Sequence, residues 1–75
     1  MKQNIQSLSL VAGANLKRLL EEKGITQDKA AEMLYLTESS SVRRLIRNGI
    51  PKIDQIQRIA SVFGVDITYM LTPLD

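Results

Sequence analysis

The apolar residues of this chain repeat at a spacing of three or four, and all but one of the stretches they form end at glycine or proline, which leaves room only for short helices joined by tight turns. Leu8, Ala12, Leu16, Leu19 and Leu20 fall on one helical stripe. Ser7 stands where a cap belongs and Gly24 supplies the stop, so a first helix is expected over about residues 8–23. Thr26 caps a second, which carries Ala30, Ala31, Met33 and Leu34 and ends near Tyr35. The run Thr37-Glu38-Ser39-Ser40-Ser41 offers several alternative caps for a third, whose apolar face is Val42, Leu45 and Ile46 and which Asn48-Gly49 ends. Beyond Pro51, the positions Ile53, Ile56, Ile59, Ala60 and Phe63 define a fourth helix stopped by Gly64. Asp66 can cap a last short helix through Leu71. No stretch alternates as a strand does. The expected fold is all-α, a compact five-helix orthogonal bundle over residues 8–75 preceded by a flexible arm at residues 1–7.

A chain of 75 residues supports one modest core and no second domain. It contains neither cysteine nor histidine, which removes disulfides, the usual transition-metal ligands and the common general base of serine and cysteine hydrolases. An enzyme is therefore the weakest reading, and no cofactor, metal or small-molecule ligand is expected. No apolar run approaches the roughly 20 residues of a membrane span, and no secretory signal opens the chain, so a cytoplasmic protein without a membrane partner is expected.

The net charge is only +2, so the placement of charge carries more information than its sum. Between Arg43 and Arg58 stand five bases (Arg43, Arg44, Arg47, Lys52 and Arg58) against the single acid Asp54. Stepping about 100° per residue from the apolar face of the third helix puts Ser40, Arg44 and Arg47 opposite, with Arg43 and Ser41 on the flanks. Arginine's planar fork matches O6 and N7 of guanine, and short hydroxyls let a helix approach base edges closely. These five residues are the candidate base readers; the competing reading is an ordinary solvated face. The same wheel puts Glu38 nearer the buried side, where a first-turn acid favours the helix dipole. Thr26 and Gln27 open the second helix as candidate phosphate contacts, or as a plain cap. Lys17, Ser39, Asn48 and Lys52 complete the candidate phosphate set.

Asn15-Leu16-Lys17-Arg18-Leu19-Leu20-Glu21-Glu22-Lys23-Gly24-Ile25-Thr26-Gln27, then Ala31 and Leu34, resembles the lambda repressor and Cro helix-turn-helix family. Pro51, Ile56, Ile59-Ala60, Phe63-Gly64-Val65-Asp66 and Leu71 look like that family's fourth and fifth helices, so the resemblance spans about residues 8–71. It implies a bacterial or phage-encoded regulator in which Thr26 and Gln27 meet the DNA backbone and the third helix reads bases in double-stranded DNA. It also implies homodimers on near-palindromic operators, with recognition helices about 34–36 Å apart. Two departures stand out. The family usually has glycine where this chain has Tyr35, and the stretch from Leu34 to Val42 is one residue longer. Tyrosine resists positive φ, so the extra residue is expected to relieve the strain by lengthening the second helix or moving the third helix's cap to Ser39.

Ile67, Tyr69, Met70, Leu71 and Leu74 supply more apolar side chains than one short terminal helix needs, which suits a dimer interface at Ile67, Met70, Leu71 and Leu74 or simply a closed core. Repression by occupancy of an operator is the simplest action for such a domain. Two other roles share the fold: an antitoxin-like autorepressor with a toxin partner, and a protein-interaction module that has lost DNA binding.

Overall fold

The computed structural model describes residues 5–73 and contains, among them, five helices and no strand: α1 (Ile5–Lys23), α2 (Gln27–Met33), α3 (Ser39–Asn48), α4 (Ile53–Phe63) and α5 (Ile67–Leu71). The all-α, five-helix arrangement matches the expectation. Its radius of gyration of 11.5 Å is that of a tightly folded chain of this length, for which about 11 Å is usual. Several boundaries differ from those expected. α1 begins at Ile5, so Ser7 lies inside the helix rather than at its start, while residues 1–4 of the expected arm lie outside the described residues. Asp66 occupies the position before α5 but makes no side-chain capping bond. Thr26 behaves as expected, its Oγ1 accepting from the Lys29 N–H at 3.1 Å.

Three of the four turns use one device. The residue after the helix takes a left-handed backbone and donates to the carbonyl three residues back, and the next residue donates to the carbonyl five back. Gly24 and Ile25 close α1 in this way on Glu21 and Leu20, and Gly64 and Val65 close α4 on Ser61 and Ala60. At the end of α2 the same two bonds run from Tyr35 to Glu32 (3.2 Å) and from Leu36 to Ala31 (2.8 Å). The device requires the left-handed conformation whatever residue occupies it, and Tyr35 accordingly has φ +59°. The expected relief of strain therefore does not occur. α2 stops at Met33, and Glu38 rather than Ser39 precedes α3, so neither expected adjustment is made. Arg58 of α4 supports the strained turn, donating through Nη2 to the Leu34 carbonyl at 3.2 Å with its guanidinium 5.9 Å from the Tyr35 ring centre.

Most of the expected core is buried, but Leu8 and Ile53, the first members of the α1 and α4 stripes, are 50% and 58% exposed because they lie at the helix starts, beyond the elements that would cover them. Ala12, Leu16, Leu19, Leu20, Ala30, Ala31, Leu34, Val42, Ile56, Ile59, Ala60 and Phe63 are all buried, joined by Ile50 and Met70. Leu16 and Leu19 are almost wholly removed from water, each contributing about 2 kcal/mol or more by transfer alone. Met70, assigned above to a possible dimer interface, is 0% exposed within the single chain. It has no surface left to offer a partner, and that assignment is withdrawn; Leu74 lies outside the described residues.

Two further features hold α3 in place. α1 crosses α3 so closely that a Cβ on Gly13 would stand 2.6 Å from the Leu45 carbonyl oxygen, and the Ile50 N–H donates to the Ser9 carbonyl at 3.1 Å. On the far side of α1, the buried Asn15 donates through Nδ2 to the carbonyls of Met70 (2.8 Å) and Thr72 (2.9 Å), fastening α5. Arg18, whose guanidinium lies 4.5 Å from the Tyr69 ring centre, donates to the Tyr69 hydroxyl, which donates in turn to Glu22 at 2.9 Å.

Candidate nucleic-acid interface

α3 turns Val42 fully inward and half-buries Leu45 and Ile46, as the helical wheel requires. The consequence is that Arg43, Arg44, Arg47 and Asn48 are exposed, while Ser40 and Ser41 are half-buried where the helix begins. Ser40, Arg43, Arg44, Arg47 and Asn48 together line one shallow crevice of about 300 Å³. Four of the five candidate base readers and one phosphate candidate are thus brought together. The only ion pairs among the described residues are Arg18–Glu22 and Lys29–Glu32. None of the three arginines on α3 is neutralised by an acid, so their full charge faces outward.

Lys17, Thr26 and Gln27 come together as well, around a second depression that reaches Ile46 of α3. They flank α3 on its α1–α2 side. Thr26 Oγ1 is occupied as an acceptor by Lys29, but its own O–H remains free to donate to an anionic oxygen. Ser39 is half-buried at the first residue of α3, and Lys52 is exposed just before α4.

The opposite flank holds what the sequence reading missed. A groove of about 460 Å³ runs between α3 and the start of α4, with Leu36 and Leu45 as apolar floor and Ser41, Arg44, Asn48 and Gln55 on its walls. Gln55 and, one turn on, Arg58 are exposed on α4 beside it. The available signal was their polar position opposite the buried Ile56, Ile59 and Phe63 stripe, a pattern that reads as mere solvation. α3 thus has donor-bearing flanks on both sides, as an element lying between two phosphate strands needs.

Glu38 corrects another expectation. It is exposed, not turned toward the core, and it forms no capping bond to the backbone of α3. Its Oε1 instead accepts from the Ser40 hydroxyl at 2.8 Å. Proton chemistry is sparse: the phenol of Tyr69 is held above its ordinary value, mainly by burial and then by its bond to Glu22, and it lies on the α1–α5 side away from α3. No group of three or more acidic residues that could hold a metal ion occurs among the described residues, and none of their helices is long and apolar enough to cross a membrane.

A family model described as helix-turn-helix matches residues 16–70, from Leu16 in α1 to Met70 in α5. No curated protein and no solved structure matches the chain significantly.

Proposed function

The chain belongs to the helix-turn-helix family, the lambda repressor-like class of DNA-binding transcription regulators, and on that premise we propose that it is a sequence-specific repressor. It reads a near-palindromic operator as a homodimer, with α3 in the major groove. The observation that carries this reading is the unpaired arginine face of α3, set between Lys17, Thr26 and Gln27 on one flank and Asn48 and Gln55 on the other. An α-helix fills the major groove, and the two phosphate ridges then stand where those flanks lie. Ser40, Ser41, Arg43, Arg44 and Arg47 read base edges; Lys17, Thr26, Gln27, Ser39, Asn48 and Lys52 hold phosphates and set the register.

Dimerisation is assigned to the half-buried Ile67 and Leu71 of α5, without Met70. Two such subunits present their α3 helices to successive turns of one DNA face, about 34–36 Å apart. Occupancy of an operator excludes polymerase by position alone, which is why repression is preferred to activation.

Selection of bound duplexes from a random-sequence pool at near-physiological salt tests the proposal, with wild type compared against Arg44→Ala/Arg47→Ala. A two-fold-symmetric motif enriched by wild type and lost in the double variant is the expected result. Failure of the folded wild-type protein to enrich any sequence refutes it.

A further inference from the structure

Among the cations of the reading face stands one carboxylate. Glu38 is exposed immediately before α3, and its Oε1 accepts from the hydroxyl of Ser40, a residue that itself lines the crevice of Arg43, Arg44 and Arg47. The acid therefore sits at the N-terminal edge of that crevice. It forms no salt bridge with any of the three arginines, the only ion pairs among the described residues being elsewhere. An unneutralised carboxylate held here is repelled by every phosphate of a docked duplex. On a docked duplex, the group that can attract its remaining oxygen is an N–H donor on a base edge.

We propose that Glu38 is a specificity-determining residue that selects cytosine at one position of each half-site, a role that rests on the DNA-reading function proposed above. The major groove offers two amino donors, N4 of cytosine and N6 of adenine. Adenine's amino group lies beside the N7 acceptor, which opposes a second carboxylate oxygen. Cytosine's lies beside a C5–H, which does not. The Ser40 hydroxyl, donating to Oε1, fixes the orientation of the carboxylate and leaves Oε2 free for the base. Because Ser40 has committed its proton, both side chains present acceptors, and the pair favours a donor base over guanine's O6 and N7. The same negative charge weakens binding to all other sequences, so it contributes to selectivity twice, by attraction to one base and by repulsion from unrelated DNA.

The experiment uses the intact chain in three forms: wild type, Glu38→Ala and Glu38→Gln. Each is taken through selection from a random duplex pool, and each is titrated with one unrelated duplex at two salt concentrations. The wild-type motif is expected to contain a cytosine in each half-site whose replacement weakens binding about tenfold. Glu38→Ala loses the preference at that position alone and binds the unrelated duplex several-fold more tightly. Glu38→Gln shifts the position toward adenine, because a carboxamide satisfies N6 and N7 together. A motif identical in all three proteins, whatever their affinities, overturns the assignment. Loss of every position at once in Glu38→Ala, accompanied by a lowered melting temperature, also overturns it by making Glu38 a folding residue. A wild type that enriches nothing removes the DNA-reading function, and with it this role; a wild-type motif untouched by Glu38→Ala removes this role alone.

Discussion

Replacing Gly13 by alanine sets a local rule against a tertiary one, and the geometry decides the sign. In an ordinary helix interior Gly→Ala stabilises by about 1 kcal/mol, through lower entropy in the unfolded chain and better helix propensity. Gly13 lies inside the 19-residue α1, so propensity alone favours the change. The new Cβ, however, would stand 2.6 Å from the Leu45 carbonyl oxygen, 3.0 Å from that of Ile46 and 3.3 Å from the Gly49 Cα. All three are backbone atoms and cannot rotate away. α1 and α3 must separate, and overpacking of this kind costs about 1–3 kcal/mol. Taking the upper part of that range, since the obstacle is backbone, and subtracting the propensity gain leaves a net destabilisation of about 1–2 kcal/mol. For a domain of this size that lowers Tm by roughly 5–15 °C. Thermal and urea unfolding followed by circular dichroism measure it, with Ala14→Gly at the exposed neighbouring position as the reference for propensity in the same helix. A Gly13→Ala protein more stable than wild type by about the full propensity increment would show that α1 does not approach α3 this closely.

Two other outcomes follow from named interactions. Tyr35→Gly should stabilise the fold by at most about 1 kcal/mol: relief of the left-handed backbone, about 1–2 kcal/mol, is offset in part by glycine's entropic cost and the loss of an exposed, 5.9 Å ring contact with Arg58. A lower urea midpoint would mean that the ring contributes more than the strain costs. Stability should also fall as pH rises past the ordinary tyrosine value of 10.0, because burial and the bond to Glu22 hold the Tyr69 phenol above it. The folded state then keeps a proton that the unfolded chain releases, so this contribution is complete below that value and is lost as the folded phenol ionises. Tyr69→Phe should flatten the alkaline limb of the unfolding profile, and an unchanged limb would assign it to other groups.

The five helices were legible because their periodicity and stop signals are local: Gly24 and Gly64 are the residues that the left-handed turn position favours, and Thr26 caps as its chemistry suggests. Tyr35 was not legible in the same way. Its conformation is imposed by two backbone hydrogen bonds, to which the side chain is an obstacle rather than a cue. Met70 exposes a different limit, since a core and an interface demand the same kind of side chain, and only the course of α5 under Asn15 separates them. Gly13 reads in sequence as a weakness of α1; its role as the point where α3 docks exists only in three dimensions. At the site, the helical wheel placed the arginines of α3 correctly because Val42, Leu45 and Ile46 set the rotation of the helix. The same wheel failed at Glu38, which precedes the helix and does not share its geometry.

These features divide the domain by the kind of force that holds each part. Asn15, Arg18, Glu22 and Tyr69 join α1 to α5 by directional bonds, whereas the only side-chain hydrogen bond joining α2 and α3 to another helix, among the described residues, is that of Arg58 to Leu34. Apart from the backbone bond of Ile50, just after it, to Ser9, α3 is placed by shape, through the apolar contacts of Val42, Leu45 and Ile46 and the approach of Gly13. Shape complementarity of this kind fixes the rotation of a helix without engaging its outer face. Arg43, Arg44 and Arg47 therefore project from a surface whose stability does not depend on them, and substitutions there fall among exposed changes that alter folding by about 0.5 kcal/mol or less. Residues on the outer face of such a helix can change while the bundle beneath them stays the same. Tyr35 marks the boundary between the two parts, because it belongs to the turn that carries α3 and is held from outside by Arg58 of the supporting helices.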